Sequence, residues 1–173
     1  MSTFLRIVDA MSEFAGRLSA WLFFAIALFV PYEVLMRNVF VSPTIWVDEV
    51  SRIMQIWAAY LAAAYVLKHH EMITIDVAFS DRTTLARRLS ETLAIVMLFI
   101  FAGTAVYYGF GIWLDETLAG HTTDSFLALP LWLTKSSVWV GFALLCLQGV
   151  AELYRIWTVG VPPSGHDPEL VVD

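Results

Sequence analysis

Thr92–Leu114, TLAIVMLFIFAGTAVYYGFGIWL, is the stretch that decides the fold. It contains no Asp, Glu, Lys, Arg or His. At about 1.5 Å per residue it makes a helix of roughly 35 Å, enough to cross the ~30 Å hydrocarbon core of a bilayer. A helix on a soluble core needs one polar face, and this stretch has none. We therefore read a membrane-spanning helix here, extended back to residue 89. Three other apolar stretches have comparable length. The first covers residues 18–36, with Glu33 as its only charge and Pro31 inside it. The second covers 44–67; Ser42-Pro43-Thr44 precedes it as a start signal, and no charge lies between Ile53 and Leu67. The third covers 132–155, after Pro130 and across Lys135-Ser136-Ser137.

Composition agrees with this reading. Of 173 residues, 59% are hydrophobic and 15% charged, and the mean hydropathy is +0.71. Soluble domains are closer to 45–50% apolar and about 25% charged. The expected fold class is therefore an all-α integral membrane protein, with four transmembrane helices in one bundle over residues 1–157. Residues 158–173, with Pro162-Pro163 and scattered acids, read as a short disordered tail. The formal net charge of −6 offers no basic field for nucleic acid. The single cysteine, Cys146, rules out a disulfide framework and a CxxC redox pair.

Residues 1–17 have a different character. Phe4, Ile7, Val8, Met11, Phe14 and Leu18 fall at helical spacing, with Arg6, Asp9, Glu13 and Arg17 between them. That pattern suits an amphipathic helix lying in the membrane interface, and no A-x-A-like site follows to favour a cleaved signal peptide.

Orientation follows the basic residues. Lys68, Arg82, Arg87 and Arg88 occupy the connection between the second and third helices, whereas the next connection holds Asp115, Glu116 and Asp124. The basic connection and both termini are expected in the cytoplasm. Lys68, Arg82, Arg87 and Arg88 then either meet anionic lipid headgroups or act only through topology.

Haem chemistry would need histidines within the apolar stretches, but His69, His70, His121 and His166 all lie outside them. No cofactor and no metal site is expected. A hydrolase would need a positioned nucleophile and base, and Ser136 and Ser137 beside Lys135 do not face one another on a helix. The unusual feature is a set of charges within the membrane. Glu33 and Arg37 are four apart, as are Asp48 and Arg52, while Glu49 and Arg52 are three apart. Such charges are costly unless paired or facing protein. An internal or intersubunit salt-bridge cluster is favoured over an ion path, because each acid has an Arg at pairing distance.

The run Glu33-Val-Leu-Met-Arg37-Asn38-Val39-Phe40, then Pro43, then Trp46-Val-Asp48-Glu49, resembles the signature of the small membrane (DctQ-type) subunit of tripartite ATP-independent periplasmic (TRAP) transporters. Glu71–Val77 and Leu129-Pro130-Leu131-Trp132 are similar to two further segments of that family, although Met72 stands where many members have histidine. The resemblance spans about residues 15–155. It implies a non-catalytic small permease subunit in the bacterial inner membrane, working in sodium-coupled uptake of organic acids. The implied partners are a large membrane permease subunit, a periplasmic substrate-binding protein and membrane lipids. It also implies that Glu33, Arg37, Asn38, Trp46, Asp48, Glu49 and Arg52 serve as intramembrane salt bridges or subunit contacts, with Glu33–Arg37 and Glu49–Arg52 fixing the helix ends. Two alternatives stay open: the membrane anchor of a redox complex, and a small self-assembling channel or transporter.

Overall fold

The computed structural model describes residues 2–69 and 85–158. The helices are α1, Ser2–Asn38; α2, Trp46–Lys68; α3, Leu85–Ala119; and α4, Leu131–Thr158. All four are long and apolar enough to cross a membrane. The chain is an all-α, multi-pass membrane protein.

The N-terminal amphipathic segment is helical, and it runs without a break into the first spanning helix. At about 1.5 Å per residue, the 37 residues of α1 extend for roughly 55 Å. The helix also continues through Pro31. α2 begins slightly later than the Ser42-Pro43-Thr44 signal suggests. Its cap position is Ile45, with no side-chain cap bond, and Asp48 and Glu49 lie in its first turn. Those two carboxylates complement the positive end of the helix dipole. Thr44 is free for other duties because it is not the cap. At the far end of α3, Gly120 adopts a left-handed conformation (φ +66°), the usual way of ending a helix without a Cβ clash. The connection from residue 120 to 130 then folds back on itself, with Thr123 N donating to Leu129 O and Leu131 N to His121 O.

The bundle is open. Among the described helices, the backbone of α3 approaches only α4, α4 packs on α2, and α2 packs on α1; α1 and α4 share a smaller contact. The helices thus form a row, α1–α2–α4–α3. Close approach at two places depends on glycine. A Cβ on Gly141 of α4 would lie 2.5 Å from Tyr60 Cβ and 3.0 Å from Tyr60 O of α2. A Cβ on Gly16 of α1 would lie 2.3 Å from the Tyr65 ring of α2. The α3 glycines are less crowded: Gly103 and Gly111 face open space, and Gly109 has ordinary contacts with Val138 and Trp139. Between α2, α3 and α4, a core forms from Leu67, Ala102 and Leu145, with Cys146 packed against it as a small apolar side chain. Large apolar side chains such as Phe24, Leu28, Ile100 and Tyr107 remain exposed. Exposure on this scale suits hydrocarbon as the surrounding solvent rather than water.

Candidate functional site: charge networks at the two helix ends

By outer end we mean the end carrying the α1–α2 and α3–α4 connections. Glu33 sits there, one turn before the end of α1, and is 8% exposed. Its Oε1 accepts from Arg37 Nη2 at 3.0 Å. Its Oε2 accepts from Thr44 N at 3.0 Å and from the Thr44 hydroxyl. One carboxylate therefore closes the α1–α2 turn while offsetting a cation on its own helix. The i, i+4 spacing made the Arg37 half of this arrangement legible. The Thr44 half depends on the turn.

The second expected pair is rearranged. Arg52 donates to Asp48 Oδ2 at 2.7 Å, and both side chains are largely exposed. The Glu49–Arg52 hydrogen-bonded pair does not form. Glu49 instead takes the hydroxyls of Thr123 and Ser125, which ties α2 to the α3–α4 connection. Residues one step apart on a helix point about 100° apart, so Asp48 and Glu49 serve different neighbours. Trp46 packs edge-on against Phe29, with ring centroids 5.5 Å apart. Asn38 is exposed at the end of α1. Beyond Glu49, a cleft of about 440 Å³ opens between Arg52, Asp124 and Phe126.

A second network occupies the opposite end, and it involves residues that the sequence did not single out as a site. Gln148 and Glu152 of α4 are 0% and 1% exposed. Gln148 accepts from Ser12 Oγ at 2.8 Å and donates to Glu152 Oε1 at 2.9 Å and to Asp9 Oδ1 at 3.4 Å. Arg155 joins Glu152, at 2.6 Å, to Asp9. Alongside, Lys68 of α2 donates to Glu13 Oε2 at 2.9 Å. The Lys68 side chain is only 20% exposed and is engaged by Glu13, an ion pair that neither the headgroup nor the topology reading of Lys68 included. The polar face of the N-terminal segment thus packs against α2 and α4. The spacing of Gln148, Glu152 and Arg155 on one face of α4 was a visible signal, but its complement lies more than a hundred residues away. Arg82 lies outside the described residues, as do His70, His166, residues 159–173 and the Glu71–Val77 motif; Thr158, the first residue of the expected tail, is the last of α4. Arg87 belongs to α3, but its side chain is not described; Arg88 is partly buried on the same helix.

The α4 serines beside Lys135 are engaged in local bonds. Ser136 donates to Leu133 O at 2.9 Å and Ser137 to Thr134 O at 2.6 Å. Trp57 Nε1 donates to Leu133 O at 2.9 Å, linking α2 to α4.

The decisive comparison is with sequence families. Residues 26–159 match the profile of the tripartite ATP-independent periplasmic transporters, DctQ component. The chain belongs to this DctQ family. Relatives include the C4-dicarboxylate TRAP transporter small permease protein DctQ of Rhodobacter capsulatus, 27% identical over 71% of this chain and 53% of its own. The isethionate TRAP transporter permease protein DctMQ of Oleidesulfovibrio alaskensis is 22% identical over 75% of this chain and 21% of its own. The sialic acid TRAP transporter permease protein SiaT of Haemophilus influenzae is 23% identical over 73% of this chain and 21% of its own. The chain thus spans about half the length of the first relative and about a fifth of the other two. As a DctQ-type small permease subunit, it carries its outer-end charges inside the matched region. The α1 half of the inner network (Asp9, Ser12 and Glu13) precedes that region, whereas Gln148, Glu152 and Arg155 fall within it.

Proposed function

We propose that this small permease subunit is a stationary, non-catalytic scaffold for a larger membrane subunit that carries out sodium-coupled uptake of an organic acid. The observation that carries the reading is that Glu33, Glu49 and Glu152 are each held by fixed partners within the chain. A carboxylate serving a transported ion must exchange its ligands during the cycle, and these three brace helix ends. The open row of helices leaves broad apolar faces for lipid and for another membrane protein. Two relatives matched over about a fifth of their length carry the homologous segment in a much longer polypeptide, which supports a large-subunit partner. The names of the relatives refer to C4-dicarboxylate, isethionate and sialic acid, all organic acids. The periplasmic substrate-binding protein is the second partner in this reading. The protein resides in the bacterial inner membrane, with both termini and the basic α2–α3 connection in the cytoplasm.

Within this scheme Arg52 is the docking residue. It is exposed, its carboxylate partner Asp48 is exposed too, and it borders the outer cleft. The test is affinity purification of the tagged chain from its native membranes in mild detergent, with mass spectrometry of what accompanies it. A stoichiometric large membrane partner is expected, and Arg52→Glu should reduce its recovery while leaving insertion intact. Recovery of the wild-type chain alone, or with redox subunits, would sink the scaffold reading. Undiminished assembly of the Arg52→Glu chain would remove Arg52 from it.

A further inference from the structure

Between the outer halves of α1 and α2 lies a groove of about 290 Å³. It is lined by Val30, Val34 and Val47 together with Glu33, Arg37, Asn38 and Asp48. This mixture of apolar and charged side chains, near the ends of two spanning helices, suits the zone of a bilayer where acyl chains give way to headgroups.

The polar groups of the groove have unused capacity. The Arg37 side chain is 63% exposed, and among the described residues only its Nη2 is engaged, by Glu33. Asp48 is engaged, by Arg52, through Oδ2 alone among the described residues, and its side chain is 76% exposed. Ser51 lines the groove and is 8% exposed, and its hydroxyl has no hydrogen-bond partner among the described residues. A buried hydroxyl left unpaired is costly, and the cost is relieved when a polar ligand sits beside it.

The charge balance selects the ligand. Two carboxylates, Glu33 and Asp48, line the groove with the Arg37 guanidinium, and Arg52 pairs with Asp48 from beside it. The two ion pairs balance, so an anionic headgroup finds no surplus of positive charge there. A headgroup with a phosphate for Arg37 and Asn38 and a cation for Asp48 satisfies both signs. A primary ammonium donates hydrogen bonds to a carboxylate, whereas a quaternary one has no N–H to give. An acyl chain completes the fit by covering the valines.

We propose that this groove holds one phospholipid whose headgroup combines a phosphate with a primary ammonium. The site depends only on this chain's own α1–α2 pair, so it stands or falls independently of the scaffold role.

The experiment is native mass spectrometry of the full-length chain, delipidated in detergent and titrated in parallel with dioleoyl phosphatidylethanolamine, phosphatidylcholine and phosphatidylglycerol. One phosphatidylethanolamine should bind roughly tenfold more tightly than either competitor, the worth of one charge-assisted bond. Val34→Trp fills the groove and should abolish that preference while circular dichroism keeps its helical signal. Asp48→Asn disturbs packing less and should bring phosphatidylethanolamine and phosphatidylcholine to equal affinity. Equal binding of the three lipids by the wild-type chain would mean ordinary annular lipid and overturn the proposal. So would an ethanolamine preference that survives both variants. If Val34→Trp costs the recovery of a membrane protein partner and the lipid titration shows no preference, the groove is a protein contact and the proposal fails.

Discussion

Gly141→Ala tests whether the α2–α4 contact is set by backbone approach. The added Cβ would sit 2.5 Å from Tyr60 Cβ, 3.0 Å from Tyr60 O and 3.1 Å from Tyr60 C. Carbon atoms in favourable contact lie about 3.5–4.0 Å apart, so one helix must retreat by about 1 Å. Two of the crowded atoms are backbone, and no rotamer change at Tyr60 removes them. Overpacking of this kind costs about 1–3 kcal/mol. It is partly masked because alanine favours a helix over glycine by about 1 kcal/mol. Gly111→Ala supplies the control, since nothing lies within 4 Å of its added Cβ. Both variants gain the same helix propensity, and only Gly141→Ala meets the clash. The assay is thermal unfolding of the full chain in detergent, followed by circular dichroism. At roughly 2–4 °C per kcal/mol for a chain of this size, Gly141→Ala should melt on the order of 2–12 °C below Gly111→Ala. Equal melting, or a higher value for Gly141→Ala, would refute the packing argument and the row order that depends on it.

Arg155→Ala removes the guanidinium between Asp9 and Glu152; a loss of about 3–5 kcal/mol is expected in the same melting assay, and adding Asp9→Asn should recover part of it. Trp57→Phe deletes the bond to Leu133 O and should cost about 1 kcal/mol, with no change in helical content. Glu49→Ala releases the Thr123 and Ser125 hydroxyls, so limited proteolysis within residues 120–130 should quicken; an unchanged cleavage rate would show that the connection is held by other contacts. For topology, single cysteines at positions 41 and 126 in a Cys146→Ser background should react with a membrane-impermeant maleimide added to intact spheroplasts. A cysteine at position 69 should not, and the reverse pattern would invert the orientation.

The parts of the site legible in sequence were those local to one helix. Glu33–Arg37 and Asp48–Arg52 obey i, i+4 spacing, and the chain realises both. Glu49 was misassigned because a three-residue separation from Arg52 looks adequate until the α3–α4 connection brings two hydroxyls closer. Its position after an apolar run leaves Lys68 open to headgroup contact or to a role in topology alone, and the carboxylate of Glu13 on another helix that pairs with it is not visible from that position. Close approach through glycine depends on tertiary structure in the same way. Composition marks α3 as rich in small residues, but whether a glycine is crowded depends on what stands opposite. For Gly16 and Gly141, tyrosines on α2 stand opposite.

The sequence by itself determined that this chain spans a membrane several times and consists of helices. A bilayer leaves no other way to satisfy backbone groups along apolar stretches of that length. It also determined the family, through a motif at the outer ends of α1 and α2 that the profile match extends over residues 26–159. Tertiary structure decided the order of the row, the continuity of the N-terminal segment with α1, and the network joining Ser12 and Asp9 to Gln148, Glu152 and Arg155. Apolar helices carry little information about which neighbour they face, because lipid and another helix are almost equally apolar surroundings. Glycine gaps, aromatic knobs and buried polar pairs make that choice, and each acts only when its complement from a distant part of the chain is in place.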